Sequence, residues 1–289
     1  MERVLIDLES ADWGNFIRWH FQMPELKTTI RNFPDGESYI RVEESVKGRE
    51  VIIVCSLNNP NKKTLELILL CKTLRENGAS RVGLIAPYLP YMRQDKQFHP
   101  GEGITAEYYA SILSDNFNWL ITADPHLHRI PKLNNIFTIT TRTIHAAPFI
   151  ADWILKNIKN PVIIGPDHES KQWVKKVANN AHAPYIVLNK LRPGDTEVKE
   201  TIPDMRKYEG YTPVILDDII STGKTMINAI KNLVKMRVEP PICIGVHAVF
   251  AAGAYEEMMA EGAKEIITCN TIKHSTNKID ISDGLINIL

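Results

Sequence analysis

The chain lacks the features that would send a protein across a membrane or draw it to a polyanion. Its amino terminus, MERVLIDLES, carries acids early and has no apolar signal core, so secretion is not expected. The longest weakly polar run, ICIGVHAVFAAGAY (242–255), is too short and too mixed to span a bilayer. Net charge is missing as well: 34 Lys and Arg balance 34 Asp and Glu over 289 residues. No bulk field therefore favours nucleic acid or an anionic membrane, and any anionic ligand must be held by a local constellation. Cysteine is scarce. Cys55, Cys71, Cys243 and Cys269 are scattered, mostly in apolar surroundings and without a CxxC pair, as expected of small buried thiols in a reducing cytosol. Neither a low-complexity segment nor a long linker interrupts the chain. A cytoplasmic protein is expected, with no nucleic-acid or membrane partner.

What is present is an ordinary globular composition, 44% hydrophobic and 24% charged, with length for about two domains. Short β-rich runs alternate with longer stretches of helical spacing. VIIVC (51–55), VGLIA (82–86), WLITA (119–123), PVIIG (161–165), PYIVL (184–188), PVILD (213–217) and ICIGVHAV (242–249) predict buried strands. Helices are predicted near 61–77, 103–114, 145–157, 170–181, 223–236 and 254–262. Such alternation predicts parallel sheets flanked by helices, an α/β protein. The pattern reads twice, which divides the chain into halves 1–143 and 144–289. Ligands of open parallel sheets gather beyond the carboxyl ends of strands, so the strand-end turns are where chemistry is expected.

One such turn ends in Gly-Lys-Thr: VILDDIISTGKTM, 214–226. A nucleotide-binding P-loop needs glycine five positions before the Gly-Lys pair, and Asp218 stands there, preceded by Asp217. Two acids before the turn suit sugar hydroxyls, which donate hydrogen bonds. The turn itself offers backbone N–H groups at a helix start, hydroxyls from Ser221, Thr222 and Thr225, and close approach at Gly223. A phosphate monoester on a sugar fits this combination better than a triphosphate does.

Four further stretches stand out. PYLPYMRQDKQFHPGEGITAEYYA (87–110) follows a strand and holds Arg93, Gln94, Asp95 and Lys96, on composition alone a solvated loop. TADPHLHRI (122–130) has His126 and His128, either a metal pair or a polar cap. PVIIGPDHES (161–170) ends a strand on Asp167, and carboxylate oxygen is a natural magnesium ligand. YIVLNKLRPGDTEV (185–198) runs into Lys190 and Arg192, by themselves a solvated edge.

Together with NFPDGESYIRVEESVKG (32–48), these stretches resemble the ribose-phosphate diphosphokinase, or phosphoribosyl pyrophosphate synthetase, family. The chain is similar to archaeal and divergent bacterial members over about residues 30 to 280. The resemblance implies two tandem domains of the type I phosphoribosyltransferase fold, each a mainly parallel sheet flanked by helices. It implies transfer of a diphosphoryl group from Mg-ATP to the 1-hydroxyl of ribose 5-phosphate, and a dimer-based homo-oligomer. ATP falls to the first half, through Phe33, Asp35 and Glu37 across a subunit contact and through Arg93, Gln94 and Asp95. Ribose 5-phosphate falls to the second, with Asp217 and Asp218 on the ribose hydroxyls and Ser221, Thr222, Gly223, Lys224 and Thr225 around the phosphate. Mg2+ is implied at His126, on ATP, and at Asp167, beside the ribose phosphate. Lys190 and Arg192 take the place of a loop that stabilises transition-state charge.

Two departures stand against the family pattern. His168, Glu169 and Ser170 follow Pro-Asp where many members have glycines, and Ser221 and Lys224 replace an acid and a small residue. Two other enzyme readings remain: a phosphoribosyltransferase, which would share the 217–225 turn, and a P-loop ATPase, disfavoured by Asp218. A non-catalytic regulatory subunit would share the fold, but the presence of His126, Asp167, Lys190 and Arg192 argues against it.

Overall fold

Two parallel sheets organise the chain, and the apolar runs named above form most of their strands. The computed structural model describes residues 1–8, 11–188 and 205–289. They divide into two compact units, Met1–Ile144 with Ser282–Leu289, and His145–Ile281. The chain's last residues thus return to the first unit.

The first unit contains β1 (Arg3–Asp7), α1 (Ala11–Phe21), β2 (Thr28–Asn32), β3 (Ser38–Val42), β4 (Glu50–Val54), α2 (Pro60–Glu76), β5 (Arg81–Ala86), α3 (Thr105–Asn116), β6 (Trp119–Ala123) and β7 (Thr140–Ile144). Its five-stranded sheet runs β1-β4-β5-β6-β7, every pair parallel, while β2 and β3 form a separate antiparallel hairpin. All five residues of β4 are buried, as required of a strand covered on both faces. Val51 and Ile53 of β4 and Val82, Leu84 and Ala86 of β5 share a core with Leu67, Leu70 and Leu74 of α2 and Ala110 and Leu113 of α3. The i, i+2 spacing on the strands and i, i+3/i+4 spacing on the helices are the two periods that the sequence displays.

The second unit contains α4 (Ala147–Asn157), β8 (Pro161–Gly165), α5 (Lys171–Asn180), β9 (Tyr185–Val187), β10 (Thr212–Ile220), α6 (Lys224–Lys235), β11 (Ile242–Ala248), α7 (Ala254–Ala260), β12 (Glu265–Cys269) and β13 (Asn277–Ile279). Its strands run β13-β12-β11-β10-β8-β9, again all parallel. Ile164, Ile215, Cys243 and Ile266 stand in register across four of them and face Ile230 and Leu233 of α6 and Met258 of α7. Strand order reverses here. The β8–α5–β9 crossover moves one way along the sheet and β10–α6–β11 moves the other, so right-handed crossovers put α5 and α6 on opposite faces. A crevice opens at such a reversal, outside the carboxyl ends of β8 and β10.

Two expectations need correction. The strand predicted over 213–217 continues to Ile220, so Asp217 and Asp218 lie inside β10 rather than at its end. Seven elements were not anticipated: β1, α1, the β2–β3 hairpin, β7, β12 and β13. Polarity explains two kinds of omission. TTRTI of β7 has a single buried residue, and the hairpin strands have none.

Candidate active site

The second unit's crevice collects acids. Asp167 follows β8 by two residues, and its turn is closed by Ser170, whose backbone N–H donates to Asp167 Oδ1 (3.1 Å) and whose hydroxyl donates to the Asp167 carbonyl (2.6 Å). Gly165 makes room for that closure, because a Cβ there would lie 2.6 Å from Ser170 Oγ. Next door on β10, the Asp218 backbone N–H donates to Asp217 Oδ1 at 3.0 Å. Burial pushes the Asp217 carboxyl well above the usual carboxylate range, and the charges of Asp218 and then Asp167 push it further. The Asp217 carboxyl therefore resists ionisation until a cation or a hydroxyl donor joins it.

Three residues beyond Asp218, β10 gives way to a tight turn. Gly223 adopts φ 70°, in the left-handed region, and its carbonyl accepts from the Ile227 N–H (2.8 Å) in the first turn of α6. No side chain caps that start, which leaves the first helical N–H groups available to an anion. Thr222 and Lys224 are exposed, and Ser221 and Thr225 are half-buried.

The first unit presents three polar features. Phe33, Asp35 and Glu37 occupy the tip of the β2–β3 hairpin, where the Phe33 N–H donates to the Glu37 carbonyl (2.7 Å) and the Glu37 N–H to Asp35 Oδ1 (3.1 Å). The Phe33 ring is 40% exposed, with the Arg31 guanidinium 4.8 Å from its centroid, so an aromatic face held by a cation is offered at the surface. Along the β5–α3 loop, Arg93 is exposed and the Gln94 carbonyl accepts from the Ala106 N–H (3.2 Å). Asp95 turns inward to Arg129, accepting from its guanidinium at 2.9 Å and from its backbone N–H at 3.2 Å. Beyond β6, the rings of His126 and His128 meet edge to face with centroids 4.0 Å apart.

The comparisons agree with this architecture from end to end. Residues 8–116 match the family model for the N-terminal domain of ribose phosphate pyrophosphokinase, and residues 133–282 match that for the phosphoribosyl transferase domain. The ribose-phosphate pyrophosphokinase of Saccharolobus solfataricus is 34% identical over 271 residues, covering 91% of both chains. That of Pyrococcus furiosus is 33% identical over 267 residues, covering 92% of this chain and 93% of its own. The chain belongs to the ribose-phosphate pyrophosphokinase family. Its fold matches the crystal structure of phosphoribosylpyrophosphate synthetase from Mycobacterium smegmatis, with a TM-score of 0.84 at 23% identity over 99% of this chain and 97% of that one. Among the described residues, no helix is long and apolar enough to cross a membrane.

Within the family frame, the second unit brings Asp167, Asp217 and Asp218 together, and Ser221 through Thr225 follow after Ile219 and Ile220. The first unit gathers Phe33, Asp35 and Glu37 on one tip, and Arg93 to Asp95 on one loop. Lys190 and Arg192 lie outside the described residues. Sequence reasoning noted Ser170 only as a departure and did not single out Arg129; the first closes the Asp167 turn and the second anchors Asp95. The signal for Ser170 was available, since an Asp-x-x-Ser at a helix start is a turn-and-cap pattern. Arg129 gave none, because its partner is 34 residues away.

Proposed function

We propose that the protein transfers the β,γ-diphosphoryl group of ATP to the 1-hydroxyl of ribose 5-phosphate, forming phosphoribosyl pyrophosphate and AMP. The observation that carries this is the acid pair followed by Ser-Thr-Gly-Lys-Thr at the strand-order reversal of a chain in this family. Asp217 and Asp218 accept hydrogen bonds from the ribose hydroxyls. The 221–225 turn and the start of α6 hold the 5-phosphate through backbone N–H groups and hydroxyls. The 1-hydroxyl oxygen bonds to the β-phosphorus, the bond from that phosphorus to the α–β bridging oxygen breaks, AMP departs and one proton is released.

Phosphoryl-type transfer is mostly positioning and charge neutralisation, which defines the remaining roles. Phe33 offers its face to the adenine, with Asp35 and Glu37 beside it. Arg93 and Gln94 meet the ATP phosphates, and Asp95 holds their loop in place through Arg129. Lys190 and Arg192 oppose charge developing on the phosphate oxygens.

Magnesium fits the donors present. Burial and then the charges of Asp218 and Asp167 hold the Asp217 proton; a hard divalent cation relieves the second cause, and Asp167 offers carboxylate oxygen to it. His126 would meet the magnesium carried by ATP. Bound there, magnesium neutralises phosphate oxygens and fixes their geometry.

Purified protein with Mg2+ should form AMP from ATP only when ribose 5-phosphate is added, and absence of that AMP would overturn the proposal. Pyrophosphate released only when a nucleobase is added to phosphoribosyl pyrophosphate would assign the turn to a phosphoribosyltransferase instead.

A further inference from the structure

The β11–α7 connection has no part in the chemistry above, yet it grips the phosphate turn directly. The Phe250 N–H donates to the Ile220 carbonyl and the Ala251 N–H to the Ser221 carbonyl, each at 2.9 Å. In a trans peptide the C=O of one residue and the N–H of the next point in opposite directions. Fixing the Ile220 and Ser221 carbonyls on the 250–251 segment therefore turns the Ser221 and Thr222 N–H groups to the other side of the turn. Neither N–H has a protein acceptor among the described residues. Two carbonyl oxygens that would repel a phosphate are sequestered, and two donors are aimed away from them.

The segment that does this is itself held under constraint. Phe250 has φ 30°, a conformation that a bulky side chain adopts only when its surroundings enforce it. Its ring lies 4.6 Å from that of His274 at a 37° tilt, and 6.0 Å edge-on from Tyr255. His274 is fixed in turn by Thr276, whose hydroxyl lies 2.9 Å from Nδ1 and whose N–H donates to it at 3.3 Å. The Thr276 hydroxyl shares a 2.8 Å hydrogen bond with that of Thr268, fully buried in β12. An unbroken series of contacts thus runs from the sheet interior, through His274 and Phe250, to the peptide planes of the phosphate turn. From the far side, Met258 of α7 packs where a Cβ on Gly223 would come within 3.2 Å.

We infer that Phe250 is a positioning residue for ribose 5-phosphate, setting the Ser221 and Thr222 peptide planes through the ring stack with His274. The inference rests on the reading of 221–225 as the phosphate turn. Glycine accepts φ 30° without strain, so Phe250→Gly removes the ring while leaving the backbone conformation accessible. In the full-length protein, Phe250→Gly should raise the KM for ribose 5-phosphate about ten-fold, the scale of hydrogen bonds to a charged group. The KM for ATP should stay near wild type, and Phe250→Tyr, which keeps a ring on His274, should restore the ribose 5-phosphate value. A purely structural role would instead reduce the active fraction and leave both KM values alone. Calorimetric titration with ribose 5-phosphate separates the two layers. If the wild type binds it and Phe250→Gly binds it equally well, the inference fails and the turn assignment stands. If the wild type does not bind it at all, the turn assignment fails and takes the inference with it.

Discussion

Glu50 and Asp217 are both carboxylates carried on strands of a parallel sheet, one in each unit, Glu50 buried and Asp217 half-buried, and their surroundings are opposite. Glu50 opens β4 at the amino end of its sheet. Its oxygens take the Arg3 guanidinium at 3.1 Å and the Trp119 indole N–H at 2.9 Å, with Arg81 at 3.6 Å. Gly83 makes the indole's approach possible, since a Cβ there would sit 2.0 Å from its ring. Asp217 lies toward the carboxyl end of β10, and the charges that bear on it are the acids Asp218 and Asp167. A buried carboxylate given two cations and an indole is finished by the fold. A carboxylate given two more acids is left to be completed from outside, which is why a ligand is proposed there. The strand orders agree, because the first sheet runs β1-β4-β5-β6-β7 without turning back and the second reverses between β8 and β10.

The largest effect is expected at the unfinished end. Asp217→Asn and Asp218→Asn should each lower kcat/KM for ribose 5-phosphate, and the double variant should lose roughly a thousand-fold, the scale of several hydrogen bonds to charge. Steady-state AMP formation measures this, and a double variant within ten-fold of wild type would break the comparison. Next in size, Lys190→Ala or Arg192→Ala should lower kcat about a hundred-fold with little change in either KM, as expected of groups that act on developing charge. The single-turnover rate at saturating substrates is the check.

The finished end should behave differently. Glu50→Gln keeps an acceptor for Trp119 but loses the charge facing Arg3 and Arg81. Both arginine side chains are about half exposed, at 47% and 50%, so solvent already screens them. A loss of about 1–2 kcal/mol in denaturant unfolding is expected, with AMP formation per folded molecule unchanged. A larger effect on turnover than on unfolding would undo the contrast. Smallest of all is Lys224→Ala. This residue is exposed in the first turn of α6, and its removal should raise the ribose 5-phosphate KM only about two- to five-fold. An unchanged KM would make Lys224 a solvated surface residue.

Much of this was legible in the sequence because it is local. The seven apolar runs and six helical stretches predicted are strands and helices within a few residues. The acid pair and its turn were readable because strand, acids, glycine and helix start are consecutive. What the sequence withheld is non-local. Nothing in RVLID or TTRTI marks an edge strand. No spacing announces that Asp95 meets Arg129, or that Phe250, 30 residues after Ile220, grips the turn from behind. The departure at Ser170 looked like a weakness of the family match and is instead the closure of the Asp167 turn. The reversal of strand order, which explains why the acids cluster where they do, is a property of the sheet and has no sequence mark.

Asp217, raised by burial and by its acidic neighbours, costs the unliganded fold stability, and linkage fixes the sign of that cost. A carboxyl raised in the folded state binds more protons folded than unfolded. Stability is therefore lost as pH climbs from the unfolded Asp value of about 3.9 through the raised folded value, and the full cost is present above it. The amide of Asp217→Asn carries no such charge and still offers its Oδ1 to the Asp218 N–H. The most direct measurement is the Tm of the wild type and of Asp217→Asn from pH 4 to pH 8, without ligands. The expected result is nearly equal Tm values at the acid end and a growing advantage for the variant as pH rises, alongside its loss of activity. A variant less stable than wild type at neutral pH would contradict it.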